Sequence, residues 1–191
     1  AVYPNSGDYT IADFALEATE GYLAYYRNSG DQERIRKDWN AIRNNLNWFH
    51  SLADEREDLL LDAEWHLKRN VNAQYGGFHG DLFLTNGYMD HTGIHCVFSC
   101  TYLIALRSAS ALAEALGDRD YREETMRRIR ILERTIPEAF WDKEKGCYSD
   151  NTERTTHSAH ASLFAIRAGV VNQEQMEQLR GYLRGNLRSI F

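Results

Sequence analysis

The stretch Tyr88-Met89-Asp90-His91-Thr92-Gly93-Ile94-His95-Cys96 gathers a phenol, a carboxylate, two imidazoles and a thiol just ahead of the most apolar run in the sequence, which extends to Leu116. That run reads as a helix over roughly 93–116. A helix N-terminus carries unpaired N–H groups and a partial positive charge, so Tyr88, Asp90 and His91 beside it suit an anionic or hydroxyl-bearing ligand. The plain alternative is a cap. Thr92 is a good N-cap type, Asp90 can serve the same end, and a histidine would sit buried behind them.

Other chemistry weakens on inspection. His91 and His95, His157 and His160, and Cys96 are residue types that zinc accepts. His91 falls ahead of the helix, however, so it does not pair with His95 on one helical face, and no Glu stands with them as in His-Glu-x-x-His. No metal and no cofactor is expected. The three cysteines make an odd count, with Cys96 and Cys100 four apart and Cys147 distant, so each is expected to act as a small buried hydrophobe. Nothing marks Cys96 or Cys100 as a thiolate activated by His95. Gly76-Gly77 follows no strand, which leaves no phosphate-binding loop.

The elements that must position these groups are helices. Asp8-Tyr9-Thr10 leads into a first helix with Ile11, Phe14, Ala18, Tyr22 and Tyr25 as its apolar stripe, stopping at Asn28-Ser29-Gly30. Asp31 caps a second, running to about Ser51, with Ile35, Trp39, Ile42, Leu46 and Phe49 on one face. After the third helix, Gly117-Asp118 turns the chain into a fourth, with Tyr121, Thr125, Ile129, Leu132 and Ile136 along one side and Pro137 expected to end or kink it. Residues 140–150 read as a tight turn or small hairpin. A fifth helix spans about 156–168 and a sixth about 172–187.

A pattern repeats here. Helices one, three and five are apolar and rich in small residues, whereas two, four and six are charged on one side. Each apolar helix joins its charged successor through a short glycine turn, and the returns, 52–92 and 139–156, are long. Three hairpins with inner and outer members follow, all long connections falling on one face. That face is where function is expected. Residues 58–69 hold at most a short helix, and the aromatic content of 52–92 marks it as a functional loop.

Composition narrows the partners. Hydrophobic residues at 43% and only 2 prolines fit a helical globular domain with a real core. A net charge of −6 argues against nucleic acid and against an anionic membrane surface. No apolar run is read as a membrane span. The start Ala1-Val2-Tyr3-Pro4 has neither Met nor a secretory pattern, as for a piece processed from a longer chain; the compartment stays open.

Several words, in order, resemble the (α/α) six-hairpin glycosidases, and among them the α-L-rhamnosidase-type catalytic domain. Tyr25-Tyr26-Arg27-Asn28-Ser29-Gly30-Asp31 resembles that family's YY-x-x-(T/S)-G-D, and Trp48-Phe49 follows near the end of helix two. Tyr88-Met89-Asp90-His91 is similar to its aromatic-x-Asp-Trp, and Leu112 to Asp118 to its LAE-x-LGD. Phe140-Trp141-Asp142 through Tyr148-Ser149-Asp150, and Thr156-His157-Ser158-Ala159-His160-Ala161, complete the set. The resemblance implies an all-α fold: three hairpins of an (α/α)6 toroid, with residues 1–191 one helical domain of a larger ring. It also implies an inverting glycoside hydrolase acting on a terminal deoxysugar or related glycoside.

Two departures qualify this. The family's acid lies upstream of the segment matched by Asp8-Tyr9-Thr10 and its base beyond Val171, so the chain is expected to lack both and to be inactive alone. His91 stands where the family has Trp.

Inversion needs two carboxyl groups about 6.5–9.5 Å apart. Asp62, Glu64, Asp81, Asp90, Asp150 and Glu153 are the candidates on the long-loop face, and no spacing selects a pair, so no catalytic residue is assigned. Asp90 is read as a ligand to sugar hydroxyls. Trp65 and Tyr88 are read as stacking walls, whereas Tyr75, Phe78 and Phe83 are expected to pack the loop. Trp65, His66, Tyr88, Asp90, His91, Tyr148, Asp150 and His157 are expected to converge on one concavity. The alternative is a non-catalytic helical module that binds carbohydrate or protein through the same face. Uncovered flanks of the first and last hairpins suggest a homodimer.

Overall fold

The computed structural model describes residues 12–63 and 93–186. Among these, six helices carry the fold: α1 (Ala12–Ser29), α2 (Gln32–Ala53), α3 (Cys96–Leu116), α4 (Arg119–Phe140), α5 (Ala159–Arg167) and α6 (Gln173–Asn186). A two-stranded hairpin, β1 (Trp141–Asp142) with β2 (Cys147–Tyr148), follows α4.

The helix ends obey local chemistry. Asp31 accepts the Arg34 N–H and caps α2, and Asp118 accepts the Tyr121 N–H and caps α4. Gly30, Gly117 and Gly169 end the inner helices at φ of 68°, 76° and 65°. That left-handed backbone strains any residue with a Cβ, so glycine sets each short turn.

α3 is the centre, packed against α1, α2, α4 and α5. Phe98, Leu103, Leu106, Ala109 and Leu112 are fully buried along it. Each large one contributes about 1.5–3 kcal/mol of burial. By length and composition α3 could cross a membrane, against the sequence expectation. It nevertheless serves as the core of this fold, with 83% of its most apolar 18-residue window buried. The row α1–α3–α5 forms the inner layer, with α2 and α4 outside it. The outer helices meet through long side chains: Trp39 packs edge-on against Tyr121 at 5.3 Å, and Arg128 reaches Asp54 at 2.7 Å.

Three local expectations change. The buried face of α1 is Ala15, Leu16, Thr19 and Leu23, while Ala18 and Tyr25 face outward. Phe14 and Tyr22 are half-buried, with Tyr22 packed against the core, so part of the expected stripe lies at the edge of the buried face, where a tyrosine keeps its polar tip near water. Pro137 neither ends nor breaks α4, which continues to Phe140. It falls in the final turn, where one backbone bond is lost, and the burial of Ile136 and Phe140 on either side outweighs that loss. Residues 58–63 are not helical. Leu59, at φ 58°, Leu60 and Leu61 pack into the core as an irregular strap; residues 64–69 lie outside the described part.

All three cysteines are free and buried. Burial, with Cys100 beside it, pushes the Cys96 thiol well up, and burial, then Asp142, pushes Cys147 to about 11.

Candidate functional site

The long-loop face is built where three chain segments meet at the start of α3. Residues 61–63 run antiparallel to 93–95: His95 N–H donates to Leu61 O (2.9 Å), Ala63 N–H to Gly93 O (2.8 Å), and Asp62 bridges Ile94. The Ser99 hydroxyl accepts the Leu61 N–H at 3.0 Å, fixing this pair to the first turn of α3. The same extended residue, His95, bridges Asn151 on its other side. Cys96 N–H then donates to Asp150 O at 2.8 Å.

These bonds correct the expected start of the third helix. It begins at Cys96, and its cap is His95, whose Nδ1 accepts the Phe98 N–H at 3.4 Å. Thr92 and His91 lie outside the described residues. Part of the N-terminal donor set expected for a ligand is therefore spent on the protein: Cys96 N–H on Asp150 O, Phe98 N–H on His95.

Asp150 joins this helix start to the next. Its carboxylate accepts the Ser158 N–H (3.1 Å) and the Ser158 hydroxyl, while Ser158 caps α5 by accepting the Ala161 N–H at 3.3 Å. Asp150 is 0% exposed. Its backbone thus holds α3 and its side chain holds α5.

The connection between them is a framed turn. Asn151 O accepts Arg154 N–H (3.2 Å), the Asn151 side chain takes the Thr155 N–H (3.2 Å), and its amide donates to the Thr155 hydroxyl (2.7 Å). Arg154 adopts φ 56°, a strained position for a residue with a Cβ. Glu153 stands exposed at the tip, its carboxylate against Gly93.

A second polar group supports the hairpin. His157 Nε2 lies 2.8 Å from Asp142 Oδ2, and its Nδ1 lies 3.1 Å from Lys145 Nζ. An ammonium can only donate, so Nδ1 accepts and the ring proton sits on Nε2, aimed at Asp142. Desolvation opposes the Asp142 charge, but the Lys145 N–H, His157 and the Glu144 N–H outweigh it and hold its carboxyl below the ordinary value. Tyr148 is fully buried under the hairpin, packed against Trp141 at 5.3 Å. Burial drives the His160 imidazole down, with Asp150 opposing.

Of the eight residues expected to converge, Trp65, His66, Tyr88, Asp90 and His91 lie outside the described residues. Tyr148, Asp150 and His157 sit together on the segment between α4 and α5, their polar atoms engaged with the protein. Among the other carboxylate candidates, Asp62 and Glu153 both stand on this face, half-buried and exposed respectively; Glu64 and Asp81 are not described. Sequence reasoning missed His95 and Asn151 as the bridge between segments, because histidine is an uncommon cap and the pairing is long-range. Ser158 did carry a signal, a cap-type residue before a small-residue helix. No three His, Cys, Asp or Glu side chains meet to hold a metal ion among the described residues.

Apolar inner helices, charged outer ones, glycine turns at one end and long connections at the other define a wall of an (α/α) hairpin toroid. The chain belongs to the family described as the bacterial alpha-L-rhamnosidase 6 hairpin glycosidase domain, which matches residues 18–189. Among solved structures it is similar to a GH78 family rhamnosidase of Bacillus sp. GL1, with TM-score 0.74 and 20% identity over 94% of this chain and 18% of that one. It is also similar to a rhamnosidase from Klebsiella oxytoca with rhamnose bound, with TM-score 0.74 and 16% identity over 97% of this chain and 33% of that one. The chain thus spans a third or less of either protein, and at these identities the likeness is one of fold. Among curated proteins none matches.

Proposed function

We propose that this chain forms part of the wall of a sugar-binding cavity in an inverting glycoside hydrolase that acts on terminal deoxysugars of the rhamnoside type. The observation that carries this reading is the convergence on one face of residues 61–63, the start of α3 and the start of α5, through the Asp62–Ile94 and His95–Asn151 bridges and the Cys96–Asp150 bond. Residues 63 and 93, which flank segment 64–92, lie at that point, and in this reading Trp65, His66, Tyr88, Asp90 and His91 face the sugar. Asp150, Tyr148 and His157 then shape the cavity from below. Ring faces, carboxylates and helix ends make the mixed lining that sugar sites use.

In this proposal residues 1–191 form one helical domain of a larger six-hairpin ring, 52–92 is its functional loop, and the acid and base come from parts of the ring outside these three hairpins. The open flanks of the outermost hairpins are covered either by further hairpins of a longer polypeptide or by a second copy across a two-fold axis. Light scattering on the 191-residue chain separates these: a well-folded monodisperse monomer at micromolar concentration removes the homodimer.

The central test is saturation-transfer NMR with L-rhamnose, run beside hydrolysis of an aryl α-L-rhamnoside. Rhamnose binding with little or no turnover is expected. Absence of binding to rhamnose and other free sugars overturns the carbohydrate reading and favours a protein-binding module. Robust turnover abolished by Asp90→Asn overturns the external acid and base.

A further inference from the structure

A polar cluster in the seam between α2, α3 and α4 takes no part in the proposed sugar site. His50 and Tyr121 are each 7% exposed, and Tyr102 is fully buried. Arg128 grips the Asp54 carboxylate with two N–H groups (2.7 and 3.1 Å) and Glu124 with a third (2.7 Å). The Tyr102 hydroxyl lies 2.7 Å from His50 Nδ1; a phenol O–H is the stronger donor and an imidazole nitrogen the stronger acceptor, so Tyr102 gives its proton to Nδ1. The His50 ring therefore carries its proton on Nε2.

That N–H meets no acceptor among the described residues, and the Tyr121 hydroxyl meets no partner either. Buried polar groups almost always find a partner, from protein or from ordered water. Two such groups occur here on rings whose centroids are 6.4 Å apart. The charges around them are already matched: Arg43, over the Tyr121 ring at 4.9 Å, bonds Asp118, and Arg128 bonds Asp54 and Glu124. The occupant must therefore be neutral, small, and able both to accept and to donate.

We propose that His50 and Tyr121 share one internal water. It accepts the His50 Nε2 proton and exchanges a hydrogen bond with the Tyr121 hydroxyl, extending the Tyr102–His50 pair into the joint between the first two hairpins. Such a water is part of the structure, with two protein partners at least.

The test combines NMR of protein labelled with ¹⁵N-histidine and the variant Tyr121→Phe. The wild-type chain should show His50 as the Nε2–H tautomer, with that proton in contact with a long-lived water. Y121F should weaken that contact and lower Tm by about 3 °C or more, since it removes a paired hydroxyl. An Nδ1–H tautomer, or no water contact at His50, overturns the proposal. So does an unchanged or raised Tm in Y121F, the result expected when a solitary buried hydroxyl is deleted. Should Y121F fail to fold, the wild-type spectra decide alone.

Discussion

Asp150→Asn separates a carboxylate that holds the fold from one that holds a sugar. Asp150 is fully buried, and its two oxygens take the Ser158 N–H at 3.1 Å and the Ser158 hydroxyl. A hydrogen bond to a charged acceptor contributes about 1.5–3 kcal/mol. An amide keeps one acceptor oxygen and turns an N–H₂ toward Ser158, so D150N loses about one such bond and misdirects another group, roughly 2–4 kcal/mol. At about 2–4 °C per kcal/mol for a chain of this size, Tm should fall by roughly 5–15 °C. Asp150→Ala should fall further, because the Ser158 N–H is then left buried with no acceptor. The double variant D150N/S158A should cost less than the sum of its singles, since each removes the other's partner. Circular dichroism melts and urea titrations read all three. The reasoning is refuted if D150N melts within about 1 °C of wild type while rhamnose affinity disappears, for then the carboxylate serves the ligand.

His50 gives a pH dependence of definite sign. Burial, with Arg128 behind it, lowers its pKa from 6.5 to about 4, so protonation favours the unfolded chain. The stability it supports is complete above pH 6.5 and is lost as pH falls toward 4, by up to ~3 kcal/mol, and His50→Phe should remove most of that slope in urea titrations. Gly117→Ala meets no heavy atom within 4 Å but must hold φ 76°, so it should lose about 1–2 kcal/mol through backbone strain alone, and an unchanged Tm would contradict that. For the Arg128–Asp54 pair, the side-chain exposures of 6% and 51% predict asymmetry. Asp54→Asn should cost under about 1 kcal/mol because Asp54 is already half in water, whereas Arg128→Ala loses buried stem packing and several bonds and should cost about 3 kcal/mol in the same assay.

Much of the fold was legible because its determinants are local. Asp31 and Asp118 announce caps, and the glycines before them announce left-handed turns, all within a few residues of the helix they govern. What misled was burial that depends on a distant partner. The expected α1 stripe runs through Phe14, Ala18, Tyr22 and Tyr25, yet the buried face is Leu16, Thr19 and Leu23, with Tyr22 at its edge. Pro137 predicts an end or a kink, yet the helix runs on to Phe140, with Ile136 and Phe140 in the core on either side of it. His95 could not be read as a cap, because its extended backbone is fixed by residues 61 and 151 rather than by its neighbours.

The same division separates the joints that carry the family resemblance from ligand contacts, which local spacing does not fix. The words that match describe joints. In Tyr25 to Asp31, the Tyr25 hydroxyl donates to Asp31 at 2.8 Å, Gly30 makes the turn, and Asp31 caps α2. In Leu112 to Asp118, Gly117 turns the chain while Asp118 caps α4 and takes the Trp39 indole N–H at 2.8 Å. Asp150 and Ser158 tie α3 to α5. Each joint is closed by residues at a fixed and short separation, so its spacing survives in the sequence as a recognisable word. A sugar contact has no such constraint. Under the proposed function its groups would come from separate long connections, and no interval between them is fixed by local geometry. Words of this kind therefore identify the scaffold of a glycosidase wall, and the residues that touch the ligand must be sought where its long connections converge.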